Sequence, residues 1–146
     1  MERKISIKFA HDLIETYNAR CKPLCKELKM PQTAFDILMF LANNPDYNTA
    51  RDIVEMRRLK ANLVSINVEK LVKAGFLERI PDAKDRRKNV LNCTENAKAV
   101  IEKGRQLQGD FFGSLFNGID EESRRQFYGV IEKISMNIDN IRREKN

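Results

Sequence analysis

One stretch constrains this chain more than any other: from Thr49 to Thr94, a short helical pattern, a turn, a longer helical pattern and a charged hairpin follow in order. Thr49-Ala-Arg-Asp52 opens a helix with an oxygen-bearing side chain followed three residues on by an acid, a cap-like arrangement. The apolar face expected of this helix is Ile53, Val54 and Met56. After a tight connection at Arg57-Arg58-Leu59, a longer helix is predicted from about Lys60 to Ala74. Gly75 then stands where a left-handed C-terminal residue is wanted. Short helix, turn and longer helix make a helix-turn-helix candidate. Phe76–Ile80 reads as a strand and Asn89–Cys93 as its return, and the segment between them, Pro81–Lys88, is polar and strongly charged. The pair reads as a hairpin with a long basic tip, a wing.

Helices flank this unit on both sides. Ile5, Phe9, Leu13 and Tyr17 recur four apart, with Ile14 alongside, as one stripe of an amphipathic helix. Pro23 is expected to bend or end that helix. A second helix is predicted from near Pro31 through Phe35, Leu38, Met39 and Ala42; it is apolar around much of its circumference, as a buried central helix would be. Thr94 is placed to cap a fifth helix carrying Val100, Ile101, Leu107, Phe111, Phe112, Leu115 and Phe116. Glycines 104, 109 and 113 within it imply bending, or close packing that exploits the missing side chains. Asp120, followed by Glu121 and Glu122, starts a sixth helix. Its apolar residues Phe127, Ile131, Ile134, Ile138 and Ile141 alternate spacings of four and three, a narrow coiled-coil-like seam. The fold class expected is mostly α (α+β): a winged helix-turn-helix with long N- and C-terminal dimerisation helices.

The net charge of +6 is unevenly placed. Arg51–Lys88 holds eleven Lys/Arg against six Asp/Glu, a net of +5, so the remaining residues together contribute only +1. A basic excess concentrated in one quarter of the chain points to a polyanion partner; a solvated basic face is the alternative that charge alone leaves open. The longest apolar run, Ile37–Ala42, is too short to cross a bilayer. The N-terminus, broken by Lys8, carries no evident signal peptide, and the three cysteines form no disulfide framework. These features lead to the expectation of a cytoplasmic protein with no membrane partner.

At the wing the residues reach a recognisable pattern. Asp85-Arg86-Arg87, then five residues, then Cys93-Thr94 resembles the hallmark of the MarR family, Asp-x-Arg followed after five residues by Leu-Thr, with Cys93 in place of the usual leucine. The run from Val68 through Leu71 and Gly75 to Arg79 is similar to the family's recognition-helix ending and first wing strand. The order of elements agrees along essentially the whole chain. The resemblance implies one MarR-like domain over 1–146, with a DNA-binding lobe at 31–93 and dimerisation helices at 1–22 and 94–146. It also implies an obligate homodimer reading a palindromic site, with a small-molecule or redox input near the junction of dimer and lobes.

Within that frame the residues take roles. Val64, Val68, Leu71 and Val72 form the expected buried stripe of the recognition helix, leaving Asn62, Leu63, Ile66, Asn67 and Lys70 outward. Asn62 is suited to bidentate pairing with adenine, and Leu63 or Ile66 to a thymine methyl. Arg57, Arg58, Lys60 and Lys70 are phosphate candidates; Lys60 stands where the family prefers a small hydroxylated cap. Arg87 is expected in the minor groove, with Asp85 pairing an arginine to hold the tip and Lys84, Arg86 and Lys88 adding backbone contacts. The dimer surface is assigned to Ile5, Phe9 and Leu13 together with Phe111, Phe112, Phe116, Phe127, Ile131, Ile134, Ile138 and Ile141, more apolar surface than a lone helical hairpin covers.

Cys21 and Cys25 lie one helical turn apart. The family's redox-sensing branch has a sensor cysteine near this place, and Lys22 and Lys26 could lower a thiol pKa. A lone His11 and scattered cysteines make no zinc set. No Gly-rich phosphate loop, Gly-x-Ser-x-Gly elbow or histidine dyad is present, so no catalytic residues, metal or cofactor are implied and an enzyme is not expected. The leading reading is a sequence-specific, DNA-binding transcriptional regulator, a repressor released by a small effector or stress signal, acting as a homodimer on double-stranded DNA. Beside it stand a winged-helix module that binds protein instead of DNA, and a thiol-based redox-sensing regulator.

Overall fold

The computed structural model describes the backbone of residues 3–145 and the side chains of residues 7–145. Ile5, assigned above to the dimer surface, therefore has its side chain outside the described residues. Six helices and one two-stranded sheet run in the order α1 (Arg3–Glu27), α2 (Gln32–Asn43), α3 (Ala50–Arg57), α4 (Ala61–Lys73), β1 (Leu77–Pro81), β2 (Asn89–Cys93), α5 (Lys98–Leu115) and α6 (Glu121–Glu144). A short 3-10 turn, Glu95–Ala97, precedes α5. This is the winged helix-turn-helix order with long terminal helices. Two compact units divide inside α5, one ending at Phe111 and the other beginning at Phe112.

The first unit is organised around α2. Ala34, Ile37, Leu38 and Leu41 of this helix join Ile53 of α3, Val64, Val68 and Leu71 of α4, Leu77 and Leu91 of the hairpin, and Val100 and Ile101 of α5 in one core. Phe35 and Met39 point into a second cluster with Cys21, Leu24 and Cys25 of α1. An apolar helix whose side chains are shared between two cores can be neither amphipathic nor exposed, as its composition implied.

Several local readings need correction. Pro23 does not end α1, which continues through it to Glu27; the ring lies on an exposed face, so the one backbone bond that proline removes is replaced by solvent. Thr94 does not cap the next helix with its side chain; its hydroxyl donates to the Gly75 carbonyl at 2.5 Å and ties the end of β2 to the end of α4. Met56, placed on the apolar face of α3, is exposed, and Ile53 alone among that helix's residues is fully buried.

Other signals act as read. Thr49 and Asp52 form a reciprocal capping box on α3, and Gly75 adopts φ 81° after α4. Gly104 is the glycine that close packing requires: an added Cβ would lie 2.4 Å from Met39 Sδ and 3.1 Å from Phe35 Cε2. Gly109 has nothing within 4 Å of such a methyl.

The second unit contains the end of α5 and all of α6. Asp120 caps α6 by accepting from the Ser123 N–H at 2.7 Å, and because that bond is stronger to the charged carboxylate it lowers the Asp120 pKa. Phe116 packs against Phe127 and Tyr128, with the Arg124 guanidinium 5.3 Å from its ring centroid.

Because Gly104 abuts Met39 and Phe35 of α2 in the second cluster, Gly104→Val should destabilise the fold by about 1–3 kcal/mol through overpacking. Gly109→Ala should instead be neutral or gain up to ~1 kcal/mol of helix propensity. Urea titration of the two variants checks the contrast; equal midpoints would remove Gly104 from the packing account.

Candidate nucleic-acid interface

The candidate interface is assembled on two elements that emerge from the first core. Helix α4 buries Val64, Val68 and Leu71 and turns Asn62, Leu63, Ile66 and Lys70 outward. Leu63 and Ile66 are 38% and 52% exposed, respectively. Asn62 folds its carboxamide oxygen back onto the Leu63 N–H at 2.9 Å, which orients its amino group outward. Lys60 sits at the N-cap without a side-chain cap bond; among the first backbone N–H groups of α4, that of Leu63 is covered by Asn62 and not by the N-cap residue.

Asn67 is the exception on this helix. It is only 3% exposed and its Nδ2 donates to the Leu63 carbonyl at 2.8 Å. It is therefore removed from the outward set: spaced three from Val64 and four from Leu71, it lies on the buried face, and its bond to the preceding turn satisfies the amide there.

The wing is an antiparallel pair in which Leu77 faces Cys93, Arg79 faces Leu91 and Pro81 faces Asn89. Leu77 and Leu91 root it in the core, and the Leu91 N–H donates at 2.7 Å to the carbonyl of Asn48, just before α3. At the tip, two aspartates organise the turn through backbone groups. Asp82 Oδ1 accepts from the Lys84 N–H at 3.1 Å, and Asp85 Oδ1 from the Arg87 N–H at 3.0 Å. Asp85 thus shapes the tip through the main chain, where pairing with an arginine side chain was expected. Lys84, Arg86, Arg87 and Lys88 are all exposed around it.

The turn between α3 and α4 holds two further basic residues. Arg58 occupies the left-handed region, φ 54° and ψ 40°, at the C-cap of α3. A non-glycine residue there stores about 1 kcal/mol or more of strain. Arg57 points the other way, its Nη2 3.7 Å from Asp36 Oδ2 on α2. Burial raises the Asp36 pKa, opposed by the Arg57 charge and a bond from Gln32. Asp36 was not singled out from the sequence, although a lone acid in an otherwise apolar helix is itself a signal that a partner waits nearby. The pair borders a small cavity of about 140 Å³ whose walls include Tyr17, Met39, Asn43 and Gln108. Gln108 links these walls, donating to the Tyr17 hydroxyl at 3.2 Å and accepting from Asn43 at 3.1 Å.

The thiols are placed differently from the redox expectation. Cys21 and Cys25 are buried in the second cluster. Burial pushes Cys25 up to about 11, with Cys21 and Asp36 adding to the effect. Cys21 is raised by the same cause, only partly offset by its bond with Tyr17. Desolvation outweighs any help from Lys22 or Lys26, both of which are exposed. Among the described residues no three His, Cys, Asp or Glu side chains gather to hold a metal ion, and no helix is long and apolar enough to cross a membrane.

The proposed dimer residues with described side chains differ in exposure. Phe9 on α1, and Phe112, Phe127, Ile131, Ile134, Ile138 and Ile141 on α5 and α6, are exposed. Leu13 and Phe116 are half-buried. Phe111 departs from the expectation: it is buried within the protomer, edge-on to Tyr17 with ring centroids 5.2 Å apart.

A sequence model of the MarR family matches residues 28–88, from the end of α1 through the wing tip. The HTH-type transcriptional regulator BilQ of Clostridium symbiosum (strain WAL-14163) is 26% identical over 84 residues. That stretch spans 58% of this chain and 58% of the relative's length. A MarR protein from Peptoclostridium difficile has a similar structure, with a TM-score of 0.79 at 22% identity, covering 96% of this chain and 90% of that one. A MarR transcriptional regulator from Methanosarcina mazei Go1 has a TM-score of 0.79 at 20% identity, covering 95% and 99%. At these identities the solved structures share the fold.

With raised pKa values, the thiolate fraction at a given pH is smaller than for a free cysteine. Iodoacetamide at pH 8 should therefore label Cys21 and Cys25 far more slowly in the folded protein than in urea. Labelling at the unfolded rate, read by mass spectrometry, would reinstate them as accessible thiols.

Proposed function

We propose that this chain, which belongs to the MarR family of winged-helix transcriptional regulators, binds double-stranded DNA as a homodimer and represses transcription until a small effector releases it. The observation that carries the reading is the presence, in one compact unit, of an outward α4 face with Asn62, Leu63, Ile66 and Lys70 together with a wing tip with four exposed basic residues. A helix of this size fits the major groove, and its N-terminal half meets the base edges. Leu63 and Ile66 contact thymine methyl groups there, and Asn62 offers its amide to adenine, which favours an A/T-rich half-site. Arg87 enters the neighbouring minor groove, where the negative potential is concentrated. Arg58, Lys60 and Lys70 meet phosphates and set the register, as do Lys84, Arg86 and Lys88; Arg57 joins them when it leaves Asp36.

Dimerisation follows from the apolar seam of α6. Phe127, Ile131, Ile134, Ile138 and Ile141 stay exposed in the single chain, and a row of this length calls for a partner helix. The effector site is assigned to the cavity beside Asp36 and Arg57, since a ligand that alters this pair acts on the C-terminal turn of α3. Release then amounts to favouring a spacing of the two recognition helices that does not match the operator. The protein acts as a regulator and not as an enzyme.

Arg87→Ala tests the DNA reading. Affinity for an operator selected from genomic fragments should fall by roughly ten- to a hundredfold, with dimer mass and thermal stability unchanged. Wild-type log affinity should fall linearly and steeply with log salt. An unaffected variant would remove the wing from the interface, and a flat salt response would contradict DNA binding itself.

A further inference from the structure

Beyond its root the wing has little to lean on. Leu77 is the buried residue of β1, and Glu78, Arg79, Ile80 and Pro81 are exposed. On β2 only Leu91 is buried. A two-stranded ribbon is marginal by itself in water, so the direction in which its tip points is set by whatever fastens its middle. One such fastening is an ion pair across to the recognition helix: Arg79 Nη2 lies 2.8 Å from Glu69 Oε2. Arg79 stands opposite Leu91, immediately beyond the root. Glu69 follows Ile66 by three positions and Asn62 by seven, so these residues share one side of α4.

The geometry points to Glu69 and Arg79 as positioning residues, a strut that holds the wing at a fixed angle to the reading face of α4 and so sets the distance between Arg87 and Asn62. This rests on the reading of α4 and the wing as a DNA-binding pair. The strut is a charge-assisted hydrogen bond with defined geometry. Both partners are partly exposed, 37% for Arg79 and 48% for Glu69, so it contributes little to global stability. Its leverage is local, because the ribbon it braces has few other contacts and a small bias is enough to move the tip. An acid on a DNA-facing helix would otherwise only repel phosphate; engaged by Arg79, Glu69 is neutralised where it stands.

The test uses Glu69→Gln, Arg79→Gln and the exchanged pair Glu69→Arg with Arg79→Glu, each with Arg87 intact and again in the Arg87→Ala background. Operator binding is followed by fluorescence anisotropy. With Arg87 present, each single variant should weaken binding by about two- to fivefold, the range open to an exposed pair. The exchanged pair should recover to within about twofold of wild type. In the Arg87→Ala background the single variants should cost nothing further, since the strut acts through that residue.

Single variants that bind like wild type would overturn the strut. So would an exchanged pair as weak as the singles, which would make Arg79 a direct phosphate contact. A loss that persists undiminished without Arg87 would do the same. A second readout needs no DNA. The Asp82 and Lys88 amides, bonded to the Lys88 and Asp85 carbonyls at the tip, should exchange hydrogen faster in both single variants and return towards wild type in the exchanged pair. Unchanged exchange overturns the strut even if binding varies. A wild-type protein that binds no DNA overturns the functional reading alone, and the exchange experiment still decides the strut.

Discussion

Helix α2 sends its side chains into two cores at once, and the rest of the first unit is arranged by that demand. Ile37, Leu38 and Leu41 meet the helix-turn-helix and the wing root, while Phe35 and Met39 meet the thiol-bearing end of α1. Interiors pack as densely as crystals, so a helix held on both sides has little freedom to shift. Gly104 shows how tight the fit is on the α5 side, where even a methyl group would collide with Met39. Helix α2 links the two cores, and Leu28 and Met30 pack against both as well.

The interface inherits its precision from that packing. Val64, Val68 and Leu71 fix the rotation of α4 about its axis, and buried Asn67 ties one turn of it to the next. With the inward face fixed, the outward one follows, and Leu63 and Ile66 are left in solvent at the end that would enter a groove. The wing is held by a different means. Two leucines root it, while hydrogen bonds and one ion pair shape everything beyond them. The contrast is one of support: buried packing fixes the face of α4, and a few polar contacts fix the wing tip. Arg57 and Asp36 join the end of α3 to α2 at the edge of the cavity that Tyr17, Met39 and Gln108 also line.

Much of the architecture was legible in the sequence because it rests on local rules. The capping box at Thr49, the left-handed glycine after α4 and the four-three spacing along α6 each depend on neighbours within a turn or two. The errors have physical causes too. Setting Asn67 on the face opposite the stripe of Val64, Val68, Leu71 and Val72 overlooks its spacing of three and four from Val64 and Leu71, which puts it on the inner face; the Leu63 carbonyl is what makes a buried amide tolerable. Pro23 was given more force than it has on an exposed side of α1. Burial of Cys21, Cys25 and Phe111 depends on what packs over α1 and could not be read from α1 itself. The ion pairs of Arg57 with Asp36 and of Arg79 with Glu69 join residues 21 and 10 positions apart. No periodicity announces such pairs, since folding alone brings them together.

On the proposed reading, the α4 face and the wing tip form a single reading unit, used twice by a symmetric pair of chains. A hydroxyl-radical footprint on a fragment selected from genomic DNA tests this most directly. The account predicts two equivalent half-sites whose centres lie about one helical turn, ~10 bp, or a multiple of it apart, each flanked by minor-groove protection where the wing enters. A lone half-site, uniform protection along the fragment, or no fragment selected at all would contradict it.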